Sequence, residues 1–314
     1  MKRIAIYVIC YLAGMSVSAQ DVKVSVAKYR GGKACATSFT FDDGNKDNFT
    51  IAAPELEKRG WNGTFWLNCA KIPGEAGGTD RIMTWDDVIM LHQRGHEISN
   101  HGWNHRKLTN ISYDEAVIEV EKNDSAILAH TGVRPSTFCY PYNAINEQIL
   151  ELAGKGRVGT RTRQYAFGEQ SSDEQLRKRM DQVIAEEGWA VWMTHGITRG
   201  YDCFKDATRF TSFLDYVKNR EDRIWVGTFR EVSAYVAERD AVSVEVKTAR
   251  RKMYVETSLD LDPELYDVPL TLMVEGVSKV TAKQDGRHLN VTCRDGISFF
   301  DFDPYGGAIV LRFL

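Results

Sequence analysis

The run ACATSFTFDDG, residues 34–44, reads as a buried β-strand, ACATSFTF, that ends on two adjacent carboxylates, Asp42 and Asp43, before a glycine that lets the chain turn. Outward from it, to about residue 239, six further β-rich runs (GTFWLN, HEIS, STFCY, RVGTR, WAVWMTH and IWVGTF) alternate with amphipathic stretches of helical period. Helix starts are marked by Thr84 before WDD, by Ser112 with Glu115 and by Ser172 with Gln175, and the last of these helices is stopped by Gly188. Strand and helix in alternation predict a parallel sheet wrapped by helices, and seven such units suit a barrel better than an open sheet. From about residue 241 the helical period gives way to VSVEV, KMYVE, PLTLMVE, HLNVT and AIVLRFL, with Asp-Gly pairs at 285–286 and 295–296 suited to hairpin turns. The expected architecture is α/β, a (β/α)7 barrel over residues 20–240 followed by a small antiparallel, β-sandwich-like accessory domain over 241–314.

The 314 residues are 43% hydrophobic and 26% charged, with a net charge of -3, which is enough apolar material for one or two domains with a substantial core. No basic stripe follows a phosphate backbone, so nucleic acid is not an expected partner. MKR, then IAIYVICYLAGMSV, then Val17-Ser18-Ala19 have the basic, apolar, small-residue order of a secretory signal peptide over residues 1–19. Cleavage near Ala19 and a periplasmic or extracellular destination are expected. The apolar run is shorter than the roughly 20 residues of a spanning helix, so no transmembrane segment is expected in the mature chain. Beyond Cys10, the cysteines at 35, 69, 139, 203 and 293 form no CxxC. Neither a disulfide framework nor a thiolate zinc cluster is indicated, and small buried apolar roles are expected.

Active-site groups of α/β barrels collect at the carboxyl ends of strands, where Asp42 and Asp43 lie. An Asp-Asp-Gly turn on the surface would read the same, so the second cluster decides. His101-Gly102-Trp103-Asn104-His105 follows HEIS and offers two imidazoles four residues apart, placed to chelate one ion if the stretch makes a helical turn. One carboxylate with two histidines is a common three-ligand set that leaves a position for water. His92 and His96 share the spacing but straddle a helix end and a strand start, which makes them structural. HExxH is absent because Asn100 stands at the fourth position after His96. FCYPYN (138–143) and WMTHG (192–196) end two later strands, and His195, before a glycine, is a candidate acid.

The order TFDDG, NHGWNH, YPYN, WMTHG resembles that of the NodB-type polysaccharide deacetylases of carbohydrate esterase family four, over roughly residues 35–235. The resemblance implies a distorted (β/α)7 barrel and metal-dependent hydrolysis of N-acetyl, or O-acetyl, groups on glycans with metal-bound water as nucleophile. It implies Asp42 as catalytic base and His195 as acid, with the backbone N–H of Tyr142 on the oxyanion. Asp43, His101 and His105 would be the ligands of a divalent metal, zinc first, with Co2+, Ni2+, Mn2+ or Fe2+ as alternatives. The partner is then an acetylated polysaccharide or oligosaccharide; the glycan and the oligomeric state stay open. Two departures stand out. The family's arginine two residues before the motif proline is Cys139 here, with Arg134, Arg161 and Arg163 as substitutes, and no aspartate-bearing fourth motif is recognisable between 144 and 188. Trp103 and Tyr142 are candidates for stacking on a sugar, whereas Trp66, Trp189 and Trp192 read as core. A barrel amidohydrolase for small cyclic amides and a catalytically silent glycan-binding envelope protein are the alternatives; export argues against the first and retention of Asp42 and His195 against the second. An iron oxygenase with two histidines and one carboxylate conflicts with the βα pattern and with the aspartate preceding the histidines. The last 74 residues carry no tryptophan and read as a packing partner of the barrel, Tyr305 being the one candidate for sugar contact.

Overall fold

The computed structural model describes residues 22–75, 78–249, 252–277 and 279–313, so the expected signal peptide lies outside the described residues. Two compact units are present among the described residues, one within 33–234 and one that joins 22–32 with 235–313. Strands are numbered from β1 (Lys23–Val26). The 33–234 unit contains β2 (Cys35–Phe41), β3 (Thr64–Leu67), β4 (Glu97–Asn100), β5 (Thr137–Cys139), β6 (Gly159–Arg161), β7 (Tyr165–Ala166), β8 (Trp189–Thr194) and β9 (Ile224–Val226). They form one parallel sheet in the order β6-β5-β4-β3-β2-β8-β7, with β9 also paired to β2. The sheet curls into a distorted barrel with a seam, since among the described residues β6 pairs only with β5 and β7 only with β8. Each of the seven β-rich runs contains a strand; the two-residue β7 was too short to show a period.

Alternation sends Phe39 and Phe41 of β2, with Phe65 and Leu67 of β3, outward into a helix-covered core that includes Trp192, Phe210 and Phe213. The rings of Phe41 and Phe65 stack at 4.9 Å. The opposite register turns Thr40 and Asp42 to the other face, which is why a strand of seven buried residues can deliver a carboxylate to its end. The three helix starts are capping boxes: Thr84 with Asp87, Ser112 with Glu115 and Ser172 with Gln175. His96 is structural, as expected: its Nδ1 accepts the Gly63 N–H at 3.0 Å and its Nε2 meets Glu57 at 2.9 Å.

The second unit contains β10 (Ser243–Ala249), β11 (Lys252–Ser258), β12 (Leu270–Glu275), β13 (Val280–Gln284), β14 (Arg287–His288), β15 (Thr292–Arg294), β16 (Ile297–Phe302) and β17 (Ile309–Phe313). They form two antiparallel sheets, β1-β12-β16-β15 and β10-β11-β17-β13-β14. Thus β1, inside the segment assigned from sequence to the barrel, pairs instead with β12. HLNVT is not one strand but contributes the ends of β14 and β15. Both Asp-Gly pairs make tight turns with positive φ at each residue, 50° and 77° at 285–286 and 53° and 78° at 295–296. The Tyr305 hydroxyl donates to the Leu261 carbonyl at 3.3 Å. Cys35, Cys69, Cys139 and Cys203 are buried and Cys293 is exposed. Among the described residues no helix is long and apolar enough to cross a membrane.

Candidate active site

Four strand ends bring the motifs together. β2 delivers Asp42 and Asp43, β4 leads into His101, β5 into the Tyr140–Asn143 turn, and β8 into His195. His101 Nε2 lies 3.8 Å and His105 Nε2 3.6 Å from Asp43 Oδ1. One donor atom from each of the three residues lies within 4.8 Å of the others. The helical turn expected for 101–105 is not what joins the imidazoles; an irregular loop with His105 at φ 58° does so, setting the rings 4.8 Å apart. His101 Nδ1 donates to the Cys139 carbonyl at 2.8 Å, which leaves Nε2 free to face Asp43. Burial lowers the proton affinity of both histidines. His105 falls to about 4, with the neighbouring His101 adding to the burial effect, and Asp43 opposes it only in part. Two neutral imidazoles and a carboxylate at these separations fit one divalent ion. A second triplet, Asp42, His101 and Cys139, is equally close. It suits a metal poorly, because burial holds the Cys139 thiol protonated and Asp42 is otherwise engaged.

Asp42 is engaged by Arg161. The guanidinium donates from Nη1 to Oδ1 at 2.7 Å and from Nη2 to Oδ2 at 2.5 Å, a two-pronged pair buried on both sides. Nη1 also donates to Thr40 Oγ1 at 2.9 Å. Burial pushes the Asp42 carboxyl up, but the positive charge of Arg161 and its hydrogen bonds more than offset it, so it stays ionised below the ordinary carboxylate value. Of the three candidate arginines, Arg134 instead faces Asp124 at 3.4 Å and Arg163 lines a cavity. Arg161 is the register partner of Cys139 across β5 and β6, so the guanidinium comes from one strand over at the same level of the sheet. Cys139 packs beneath it, with Sγ 3.9 Å from Asp42 Oδ2.

Tyr142 has φ 60° in its turn, and its neighbours' N–H groups are spent locally, Asn143 on the Tyr140 carbonyl at 3.0 Å and Ala144 on that of Pro141 at 3.2 Å. The Tyr142 N–H has no acceptor among the described residues, and its side chain is 65% exposed, 4.6 Å from the His105 ring. Asp43, like Tyr142 and His105, has positive φ, 70°. Trp103, by contrast, is buried under Lys122 and cannot stack on a sugar. Trp66 and Trp192 are core as expected, whereas Trp189 is half-buried and lines the same cavity as Arg163.

His195 is held through its backbone. Its carbonyl accepts from Asn45 Nδ2 at 2.5 Å and Asn48 Nδ2 at 3.2 Å. Asp47 Oδ2 accepts the N–H groups of Ile197, Thr198 and Arg199 at 3.0, 2.7 and 3.1 Å and so pins the loop that follows. These three residues went unread in the sequence, although Asn-Lys-Asp-Asn directly after DDG is a recognisable cluster of side chains that hydrogen-bond to backbone. His195 Nδ1 is buried without a hydrogen-bond partner, in keeping with the missing fourth-motif aspartate. Lys71 Nζ stands 3.5 Å from Asp43 Oδ1.

Residues 30–181 match the family profile described as polysaccharide deacetylase. The peptidoglycan-N-acetylglucosamine deacetylase PgdA of Listeria monocytogenes is 30% identical over 136 residues, 43% of this chain and 27% of that protein. Chitin deacetylase 2 of Cryptococcus neoformans is 27% identical over 122 residues, 37% of this chain and 27% of that protein. The chain therefore spans about a quarter of the length of these curated relatives. A structure from Mycobacterium smegmatis, assigned to the polysaccharide deacetylases, shares the fold at a TM-score of 0.54 and 16% identity, covering 68% of this chain and 93% of that one. Residues 30–181, which carry the paired aspartates, the paired histidines and the Tyr142 turn, are thus the part of the chain that is similar to the polysaccharide deacetylases.

Proposed function

We propose that this protein is an exported, metal-dependent deacetylase that hydrolyses N-acetyl groups, and O-acetyl groups with them, on glycans of the peptidoglycan or chitin type. The observation that carries the reading is the division of labour between adjacent carboxylates: Asp42 is locked on Arg161, whereas Asp43 faces two neutral imidazoles. Asp43, His101 and His105 would hold the ion, zinc being the first choice for one carboxylate and two imidazoles. When bound, such an ion polarises a carbonyl and lowers the pKa of water from about 15.7 toward roughly 7. Asp42, ionised and fixed by two hydrogen bonds, takes the proton of the attacking water. The Tyr142 N–H donates to the oxygen that gains charge, a contact worth about 3 kcal/mol in comparable oxyanion sites. His195 hands a proton to the leaving nitrogen.

The reading is tested by metal analysis together with acetate release from N-acetylglucosamine oligomers, peptidoglycan and acetylated xylan. Metal-loaded protein that frees acetate from none of them would sink it. Asp42→Asn is expected to keep its metal while turnover falls on the order of 100- to 10,000-fold; near-normal turnover would remove Asp42 from the base role. His195→Ala is expected to slow amides more than esters with good leaving groups, because only the amide nitrogen depends on a donated proton. Equal losses on both would make His195 structural.

A further inference from the structure

A cavity of about 660 Å³ lies in the seam between β6 and β7, within the range of small-ligand pockets. β7 covers β8 only at Trp192 and Met193, which leaves the first half of β8 without a strand on that side. Asn143, Thr160, Thr162 and Gln164 make a polar wall. Tyr165, Trp189 and Phe229 supply an aromatic one, with the last two rings 5.0 Å apart. Ring faces beside hydroxyl and amide groups suit a pyranose, whose C–H faces are apolar and whose rim is hydroxylated.

Charge narrows the class. Arg163 lines the cavity and has no hydrogen-bond or ion-pair partner among the described residues, and no lining residue is acidic. A second guanidinium, that of Arg179, lies 4.8 Å from the Tyr165 ring, and no carboxylate pairs with it among the described residues. Uncompensated guanidinium beside a cavity walled by rings, hydroxyls and amides favours a carboxylate, which it can grip with two parallel hydrogen bonds. Location ties the cavity to the chemistry: Asn143 follows Tyr142, and Thr160 and Thr162 flank Arg161 on the chain.

We propose that the seam cavity is a subsite for a carboxylate-bearing sugar of the acetylated glycan, with Arg163 as its counter-ion. It rests on the deacetylase reading for the reaction next door, but not for the binding itself. The test titrates the full chain calorimetrically with oligosaccharides of alternating N-acetylhexosamine and uronic acid, and with the same oligosaccharides after reduction of each carboxyl to an alcohol. The carboxylate form is expected to bind about tenfold more tightly, as one charge-assisted contact allows. Arg163→Ala should collapse that ratio toward one, and Arg163→Lys should restore part of it. Equal affinity of the wild type for both forms, binding of neither, or an unchanged ratio in Arg163→Ala overturns the subsite. Acetate release measured on the same pair separates the two readings: Arg163-dependent binding without acetate release keeps the subsite and sinks the deacetylase, and acetate release without a carboxylate preference does the reverse.

Discussion

Arg161→Ala is expected to lower acetate release by about 100-fold or more, on the scale of losing a general base, with its acid limb moved to higher pH. The variant leaves Asp42 buried without its main counter-ion. Burial, the largest single influence on this carboxyl, pushes it up, and Arg161 is the largest influence holding it down. In the wild type the carboxyl is depressed, so its stabilising pair is intact above the ordinary aspartate pKa of about 3.9 and is lost as pH falls through the lower folded value. Without Arg161 the carboxyl rises, a protonated Asp42 cannot accept a proton, and the activity proposed above is expected to return only at higher pH than in the wild type. Breaking a buried pair from one side costs about 3–5 kcal/mol, so the urea midpoint falls as well. Arg161→Lys keeps the charge but not the two-pronged grip, and is expected to lie between. A kcat profile with an unshifted acid limb and near-normal turnover would show that Arg161 does not govern the base.

His101→Ala is expected to lose metal and acetate release together, if the proposed donor set holds the ion. An outer partner of a ligand is typically worth roughly 10- to 100-fold in metal affinity, and removing a donor itself should exceed that. The wild-type protein should hold its metal in mildly acidic buffer. Histidine competes with protons only below its folded pKa, and burial brings His105 to about 4, well under the ordinary histidine value. Metal content by mass spectrometry across a pH series reads both expectations. Full occupancy in His101→Ala, or metal release from the wild type near pH 6.5, would count against this donor set.

Much of the site was legible because it follows strand ends, and strands announce themselves. CATSFTF shows a buried strand, so the carboxylates after it fall where barrel chemistry gathers; the same holds for the residues after HEIS, STFCY and WAVWMTH. What escaped reading depends on distances between strands. Arg161 could not be told from Arg134 or Arg163, because only the lateral register of β6 against β5 puts it level with Cys139. The joining of His101 to His105 was expected through a helical turn, and a left-handed residue does it instead. Trp103 looked like a sugar platform from its neighbours, yet the loop folds it under Lys122. The pairing of β1 with β12 spans nearly the whole chain, and no local pattern encodes a contact of that separation.

The left-handed backbone at Asp43, His105 and Tyr142 sets selection for heat resistance against selection for turnover. Each such residue gives up about 1 kcal/mol relative to a glycine at the same angles. A library screened only for survival at high temperature would therefore drift toward glycine or asparagine at positions 43 and 105, gaining melting temperature while discarding two donors. Position 142 escapes the conflict in the proposed mechanism, which asks there for a backbone N–H that glycine keeps. It is the place in this site where an engineer can harden the fold without disarming the reaction.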